Sequence, residues 1–146
     1  MTGAVFVDTN VLVYGRDASE PEKQQRAIAW MTHLWESQRG RLSVQVLQEF
    51  YVTVTQKLSP GMTRDAARRD VRNLMVWRPV AIDVAILDRA WTAQDRYRLA
   101  FWDALIVAAA QVAGCRYLLT EDFQPDQQLD DLTVVNPFRR EAGSLV

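Results

Sequence analysis

Short apolar runs alternate with longer amphipathic segments along this chain. Apolar residues, many of them β-branched, predict short buried strands near residues 4–7, 42–44, 79–82, 116–120 and 132–135. Between these runs, apolar residues recur at helical intervals, and in the helix that begins at Thr63 they place Ala67, Val71, Leu74 and Met75 toward the core. Residues 126–131 are predicted to form a polar loop. The first predicted helical element is a turn that starts at Thr9 or Asn10. The second helix starts with a Ser19–Glu22 capping box and ends at about Gln38. Four more helices are predicted, from about residue 45 to 58, from Thr63 to 75, from Asp83 to about Tyr97, and over residues 99–114.

One segment gives conflicting signals about its secondary structure. Residues 50–55, FYVTVT, alternate and are rich in β-branched side chains, as in a strand, whereas apolar positions between 47 and 58 recur at helical spacing. We assign a helix because the periodic segment is longer than most strands. On that helix Gln45 and Glu49 share one face.

Strands that alternate with helices predict an α/β fold with a central parallel sheet and helices on both faces. The chain has 146 residues and no Pro-, Gly- or Ser-rich linker, so we expect one domain over residues 1–146. In such folds ligands bind beyond the carboxyl ends of the strands.

Composition excludes several classes of protein. The longest uninterrupted apolar run, residues 104–110, is far shorter than the roughly 18 residues that span a bilayer, and the N-terminus lacks the pattern of a signal peptide. We therefore expect a soluble, cytoplasmic protein. Cys115 is the only cysteine and begins an apolar run, which favours a small core residue over a nucleophile.

The basic residues point to local contacts with nucleic acid or with a partner. The formal net charge is −1, so the chain lacks the global basic excess common in nucleic-acid-binding domains. Arg64, Arg68 and Arg72 recur at every fourth position and predict a basic stripe on one helix. This stripe contacts RNA or a protein partner, or it is a solvated face paired with Asp65.

Four acidic residues lie where apolar runs stop: Asp8, Glu49, Asp103 and Asp122. Carboxylates that converge from distant parts of a chain repel one another unless a cation lies between them, so this pattern predicts a metal site. Because His33 is the only histidine, the ligands must be mainly oxygen atoms, which favours Mg²⁺ or Mn²⁺ over zinc.

Asp103 is the only charged residue between Leu99 and Cys115. A lone acid in so apolar a helix must be neutralised, paired or bound to a metal ion. The alternative is a first-turn aspartate that the helix dipole stabilises. Its neighbour Trp102 is expected to pack in the core, although it could also stack on a base.

Five sequence blocks together resemble the PIN-domain ribonucleases, in particular the VapC-type toxins of type II toxin–antitoxin systems. The blocks are VFVDTNVLVY, SVQVLQEFYVTVTQKL, FWDALIVAAA, LLTEDFQ and VVNPF, in the family's order over residues 5–138, while residues 60–98 match only in general layout. The resemblance implies a Mg²⁺- or Mn²⁺-dependent endoribonuclease on a three-layer α/β/α sandwich. It also implies a homodimer that a cognate antitoxin inhibits.

The resemblance also implies roles for individual residues. The family's acids correspond to Asp8, Glu49, Asp103 and Asp122, and Asn10 and Thr120 correspond to hydrogen-bonding neighbours of the site. From the chemistry of phosphodiester cleavage we assign Asp8, Asp103 and Asp122 as metal ligands. Glu49 would orient the attacking water or hold a second ion. Glu121 ranks second, because its side chain should point away from Asp122 if the strand continues.

Three other functions compete with the toxin hypothesis. A phosphatase loop also follows a strand with an aspartate, but it requires an acid two residues later, where this chain has Asn10, and no downstream lysine completes that scheme. A catalytically silent PIN-fold binding module would not need all four acids. A PIN-domain nuclease in RNA processing, outside a toxin–antitoxin system, is the closest alternative.

Overall fold

Five short strands form one sheet at the centre of the fold. The structure is a computed structural model that describes residues 3–145. The strands are β1 (Val5–Val7), β2 (Gly40–Arg41), β3 (Tyr117–Leu119), β4 (Gln128–Leu129) and β5 (Leu132–Val135). Their order is β2-β1-β3-β5-β4; all neighbours are parallel except β4 and β5, which are antiparallel.

Six α-helices surround this sheet. They are α1 (Thr9–Tyr14), α2 (Pro21–Ser37), α3 (Val44–Val52), α4 (Arg64–Leu74), α5 (Val84–Tyr97) and α6 (Phe101–Val112). Every side chain of β1 is buried, so helices cover both faces of the sheet there, as the predicted α/β fold requires. On α6, residues 104–110 are all buried, and the helix ends before Gly114, whose φ of 70° favours glycine.

The pairing of β1 with β3 brings distant residues together at the carboxyl edge of the sheet. Val7 pairs with Leu119, so Asp8 and Thr120 emerge next to each other where the two strands end. The N–H of Asp8 donates to the carbonyl of Leu119 at 3.0 Å. The N–H of Thr120 donates to Val135 on the next strand, also at 3.0 Å, which holds three strand ends in line.

The β-branched segment 50–55 is helical, as its period predicted. Ser43 caps α3 by accepting a hydrogen bond from the N–H of Val46 at 3.3 Å. After Val52 the helix widens into a π-helical turn at Thr53–Lys57. There the Thr55 hydroxyl donates to the carbonyl of Tyr51 at 2.6 Å, a bond that competes with regular helix geometry.

Two predicted helix starts carry a side-chain cap. Thr63 and Asp83 accept N–H bonds from Ala66 and Ile86 and so begin α4 and α5. The predicted Ser19–Glu22 capping box is wrong. The Ser19 hydroxyl donates to Asp17 instead, and α2 begins at a proline, which needs no N–H partner.

Four predictions about strands and core residues need correction. Residues 42–44 do not form a strand, because β2 ends at Arg41 and Val44 already begins α3. In the segment 79–82 only Val80 pairs, through a single bridge to Ser43. The predicted polar loop 126–131 contains β4, which is the antiparallel edge of the sheet. Met75 is 54% exposed rather than in the core, because α4 gives way to a 3₁₀ turn at that residue.

Cys115 is a core residue, as its apolar surroundings predicted. Its side chain is buried between the end of α6 and the start of β3. Burial disfavours the thiolate and raises the pKa of Cys115 to about 12. The thiol therefore stays protonated at physiological pH.

Gly40 gives a test of how tightly the edge of the sheet is packed. A Cβ at this position would overlap the indole ring of Trp77, which lies directly over the strand. We predict that Gly40→Ala destabilises the fold by about 1–3 kcal/mol through overpacking. Gly15→Ala is the control, because Gly15 has a helical φ of −60°; its effect on the urea midpoint should be small. Equal midpoints for the Gly40 variant and the wild type would contradict the predicted clash.

Candidate active site

Asp8 is held at the end of β1 by hydrogen bonds to both carboxylate oxygens. Asp8 is only 4% exposed. One oxygen accepts from the N–H of Thr9 at 2.7 Å and so caps α1. The other accepts from the hydroxyl of Thr120 at 2.8 Å. The strand end and the helix start therefore fix this carboxylate in a single orientation.

The amide of Asn10 connects both strand ends. Its Nδ2 donates to Asp122 at 3.2 Å and to the Thr120 hydroxyl at 3.0 Å, and lies 3.4 Å from Asp8. Its Oδ1 accepts from the N–H of Glu121 at 3.3 Å. Asp122 is oriented further by its own N–H, which donates to Thr120 at 3.0 Å. The structure thus brings together four of the residues that the sequence singled out.

Glu49 reaches the same edge from the second turn of α3. Its Oε1 accepts from the hydroxyl of Thr9 at 2.7 Å, and its Oε2 accepts from Nε2 of Gln45 at 3.3 Å. Ser43 starts α3 at the level where Asp8 leaves β1, which explains why Glu49, 40 positions away in sequence, reaches Thr9.

Asp103 approaches from the first turn of α6. Partial burial, and then the charges of Asp122 and Glu49, raise the pKa of Asp103. No side chain among residues 3–145 donates a hydrogen bond to it, so it differs from the other three acids. Trp102 beside it is 63% exposed and packs edge-on against Phe101, so the expectation of a core tryptophan is wrong.

The charges of Asp122 and Glu49 act on both Asp8 and Asp103. Burial raises the pKa of Asp8 to about 7, the hydrogen bonds from Thr120 and Thr9 oppose this, and Asp122 and Glu49 add to it. Within the described part of the chain, no three acidic, histidine or cysteine side chains lie close enough to surround an ion as they stand. Mutual repulsion of carboxylates is a sufficient reason for this spacing. Excess negative charge on oxygen donors fits a hard divalent cation.

Glu121 is held away from this cluster. Its carboxylate accepts from Nζ of Lys23 at 2.9 Å, and this bond is the main reason that the pKa of Lys23 is raised. The same ammonium group donates to the hydroxyl of Tyr14 at 3.2 Å and lies 4.7 Å from the centre of its ring. Lys23 therefore ties α2 to the loop that carries Asp122.

The arginine stripe lies exposed on α4. No ion pair within residues 3–145 involves Arg64, Arg68 or Arg72, so the predicted pairs with Asp65 are absent, although the three arginines are exposed as on a solvated face. Arg68 lies 5.8 Å from the ring centre of Tyr51. Arg68 and Arg72 border a groove of about 650 Å³ whose walls are mostly apolar.

Comparison with known proteins identifies the family. The PIN domain model matches residues 5–128. This chain belongs to the PIN domain family. The predicted family and fold class are therefore confirmed. A comparison with curated proteins gave no significant match. No helix between residues 3 and 145 of this PIN domain is long and apolar enough to cross a membrane.

Solved structures share the fold. A toxin–antitoxin complex from Klebsiella pneumoniae has a chain that is 23% identical, with a TM-score of 0.63 over 92% of this PIN domain and 97% of that chain. VapC20 from Mycobacterium tuberculosis, a toxin that cleaves the sarcin-ricin loop, is 21% identical, with a TM-score of 0.59 over 79% and 87%. At these identities the likeness concerns the fold.

The sequence does not predict three contacts at or beside the site. The hydrogen bonds from Thr9 and Gln45 to Glu49 lie within it, and the bond from Lys23 to Glu121 lies next to it. The spacing of Gln45 and Glu49 by four residues was the available signal. Nothing local indicated that Lys23 would meet Glu121, 98 residues away.

The raised pKa of Asp8 predicts that the free energy of unfolding falls as the pH rises. Its pKa is 3.8 in the unfolded chain and about 7 in the folded one, so the stabilisation that its proton provides is complete below pH 3.8 and is lost as pH rises through 7. In EDTA, Asp8→Asn should therefore gain stability relative to wild type between pH 4.5 and 7.5, as measured by urea unfolding. A difference that stays constant across this range would contradict the assignment.

Proposed function

We propose that this protein is a metal-dependent endoribonuclease and the toxin of a type II toxin–antitoxin pair. The observation that carries the proposal is the convergence of Asp8, Glu49, Asp103 and Asp122 at the carboxyl edge of a PIN-domain sheet. Burial and mutual repulsion raise the pKa of two of these acids, which is common where carboxylates serve a metal or a reaction.

Asp8, Asp103 and Asp122 would hold the ion, and its chemistry fits their surroundings. All the donors are oxygen atoms, which suits Mg²⁺ or Mn²⁺. Among residues 3–145, no cationic side chain forms an ion pair with Asp8 or Asp103. When bound, the ion would stabilise negative charge on the phosphodiester oxygens and lower the pKa of a water molecule.

The chain's own residues would orient the reacting groups. Asn10 and Thr120 hydrogen-bond Asp8 and Asp122, so these two carboxylates are oriented relative to each other before substrate arrives. Glu49 would orient the attacking water or accept its proton. A groove of about 420 Å³ opens beside Glu49, and its lining includes Lys57, an exposed cation that suits an RNA phosphate.

The proposed partners follow from the family and its structural relatives. Two structural relatives are a toxin–antitoxin complex and a toxin that cleaves the sarcin-ricin loop, so we propose a cognate antitoxin, an RNA substrate, a second copy of the chain and a cytoplasmic location. The stripe of Arg64, Arg68 and Arg72 is proposed to contact the RNA or the antitoxin. Loss of RNA affinity with normal antitoxin binding in Arg68→Ala would assign it to RNA.

We predict that Asp8→Asn and Asp103→Asn each abolish RNA cleavage and growth inhibition. Either change removes a charge from the proposed ligand set but almost no volume, so metal affinity should fall while packing survives. Cleavage of labelled RNA measures the loss of activity, and circular dichroism measures whether the variants keep the fold. Asp95→Asn, on the exposed face of α5, is the matched control and should behave as wild type. Full activity in either site variant would refute the assignment.

We also predict that Mg²⁺ or Mn²⁺ stabilises the fold. At a metal concentration near 100 times the dissociation constant, linkage gives about 2.7 kcal/mol, which corresponds to a rise in Tm of about 5–10 °C for a chain of this size. EDTA should reverse the rise, and differential scanning fluorimetry would measure it.

A triple variant with Asn in place of Asp8, Asp103 and Asp122 is the control for this metal effect. It should lose the metal-dependent rise in Tm. Without metal it should be more stable than wild type at pH 7.5, because charge repulsion and the burial of Asp8 are relieved. If the triple variant keeps the full rise, the ion binds elsewhere on the protein.

A further inference from the structure

Two neutral side chains hold the carboxylate of Glu49 from opposite sides. The hydroxyl of Thr9 donates to Oε1 at 2.7 Å, and the amide of Gln45 donates to Oε2 at 3.3 Å. Thr9 belongs to the first turn of α1, directly after Asp8, and Gln45 to the first turn of α3. Glu49 is thus fixed relative to β1, and no ion pair in the described part of the chain involves it.

Gln45 also connects Glu49 to the helix that carries Asp103. Its Nε2 donates a second hydrogen bond, at 3.3 Å, to the carbonyl oxygen of Trp102. Both acceptors face the same amide nitrogen, so the opposite orientation of the amide would place three oxygen atoms against one another. The two acceptors therefore determine the orientation of the amide. Through this one side chain, Glu49 on α3 is connected to the first turn of α6, which carries Asp103.

The amide oxygen of Gln45, Oε1, lowers the stability of the fold. Gln45 is only 5% exposed, and its Oε1 is buried without a hydrogen-bond partner among the described residues. An unsatisfied buried acceptor destabilises a fold, and an apolar side chain of similar size would avoid this. Gln45 is thus unfavourable for folding and lies beside converging acids. Such a combination is expected where a residue has a functional role.

We infer that Gln45 is a positioning residue, which sets the rotamer of Glu49 and its separation from Asp103 through its two hydrogen bonds. The inference rests on the proposed nuclease function. Gln45 acts through Glu49 and does not itself touch the reacting atoms. Thr9 completes the arrangement from the other oxygen. Misplacement of a reacting group by about 1 Å can slow catalysis roughly a hundredfold, so this contact has a measurable role.

The main test replaces Gln45 with methionine, which has similar length and no hydrogen-bonding amide. Kinetics are measured with Mn²⁺ and a mixed-sequence single-stranded RNA that carries a fluorophore and a quencher. Gln45→Met should lower kcat by about ten- to a hundredfold and leave KM within about twofold of wild type. Its Tm in EDTA should equal or exceed that of wild type, whereas a purely structural glutamine would lower both Tm and activity.

Gln111→Met is the matched control. Gln111 also joins a helix to another segment, because its amide donates to the carbonyl of Leu129 at 3.4 Å and to Asp130 at 3.3 Å. It lies on the last turn of α6, away from the four acids. This variant should change Tm more than kcat. Thr9→Val removes the other donor to Glu49 and tests the arrangement independently if the Gln45 variant fails to fold.

A double-mutant cycle shows whether Gln45 acts through Glu49. In a Glu49→Gln background, Gln45→Met should have no further effect on the cleavage rate. If cleavage in that background is too slow to compare, the same four proteins are unfolded in urea, where a non-zero coupling between the two sites is expected. Equal rates for Gln45→Met and wild type, or an equal loss in both backgrounds, would overturn the inference.

Failure of the proposed function would look different. If Asp103→Asn cleaves the RNA as fast as wild type, or if wild type does not cleave it with Mn²⁺, the nuclease assignment fails whatever Gln45 does. If wild type is active and Asp103→Asn is not, while Gln45→Met keeps the wild-type kcat, only the positioning role of Gln45 is wrong.

Discussion

The parallel pairing of β1 with β3 is the interaction on which the candidate site depends. Because Val7 lies opposite Leu119, Asp8 and Thr120 leave the sheet side by side. A slip of one residue would turn Asp8 to the other face and separate it from the Thr120 hydroxyl. The same edge receives α1, which begins at Thr9, and α3, which begins one residue after Ser43. Backbone hydrogen bonds thus determine where the candidate site lies.

The burial and mutual repulsion of carboxylates are the second constraint on this fold. Asp8 is buried, and Asp103 is partly buried, near two further carboxylates, so the isolated fold holds more negative charge than its surroundings favour. Neutral donors on Thr9, Asn10 and Thr120 orient these acids without neutralising them. These hydrogen bonds therefore set the orientation of individual acids before any ion or substrate arrives, and stability is given up for that orientation.

The sequence predicted what local chemistry determines, and it failed where distant contacts decide. Asp103 was identified because it is the only charge in an apolar helix, and Thr63 and Asp83 because a cap depends on residues within one turn. The Ser19–Glu22 box failed because Asp17 captures the Ser19 hydroxyl. The contacts of Gln45 with Trp102 and of Lys23 with Glu121 join segments 57 and 98 residues apart, and no periodicity encodes such distances.

The burial of Cys115 has a practical consequence for spectroscopy. With a pKa of about 12, its thiol is ionised in only about one molecule in ten thousand at pH 8, and maleimides react with the thiolate. A cysteine introduced at an exposed position, such as Trp102 or Arg68, would therefore be labelled selectively in the folded protein. Fluorescent or spin labels could then report distances across the carboxyl edge of the sheet without removing the native cysteine.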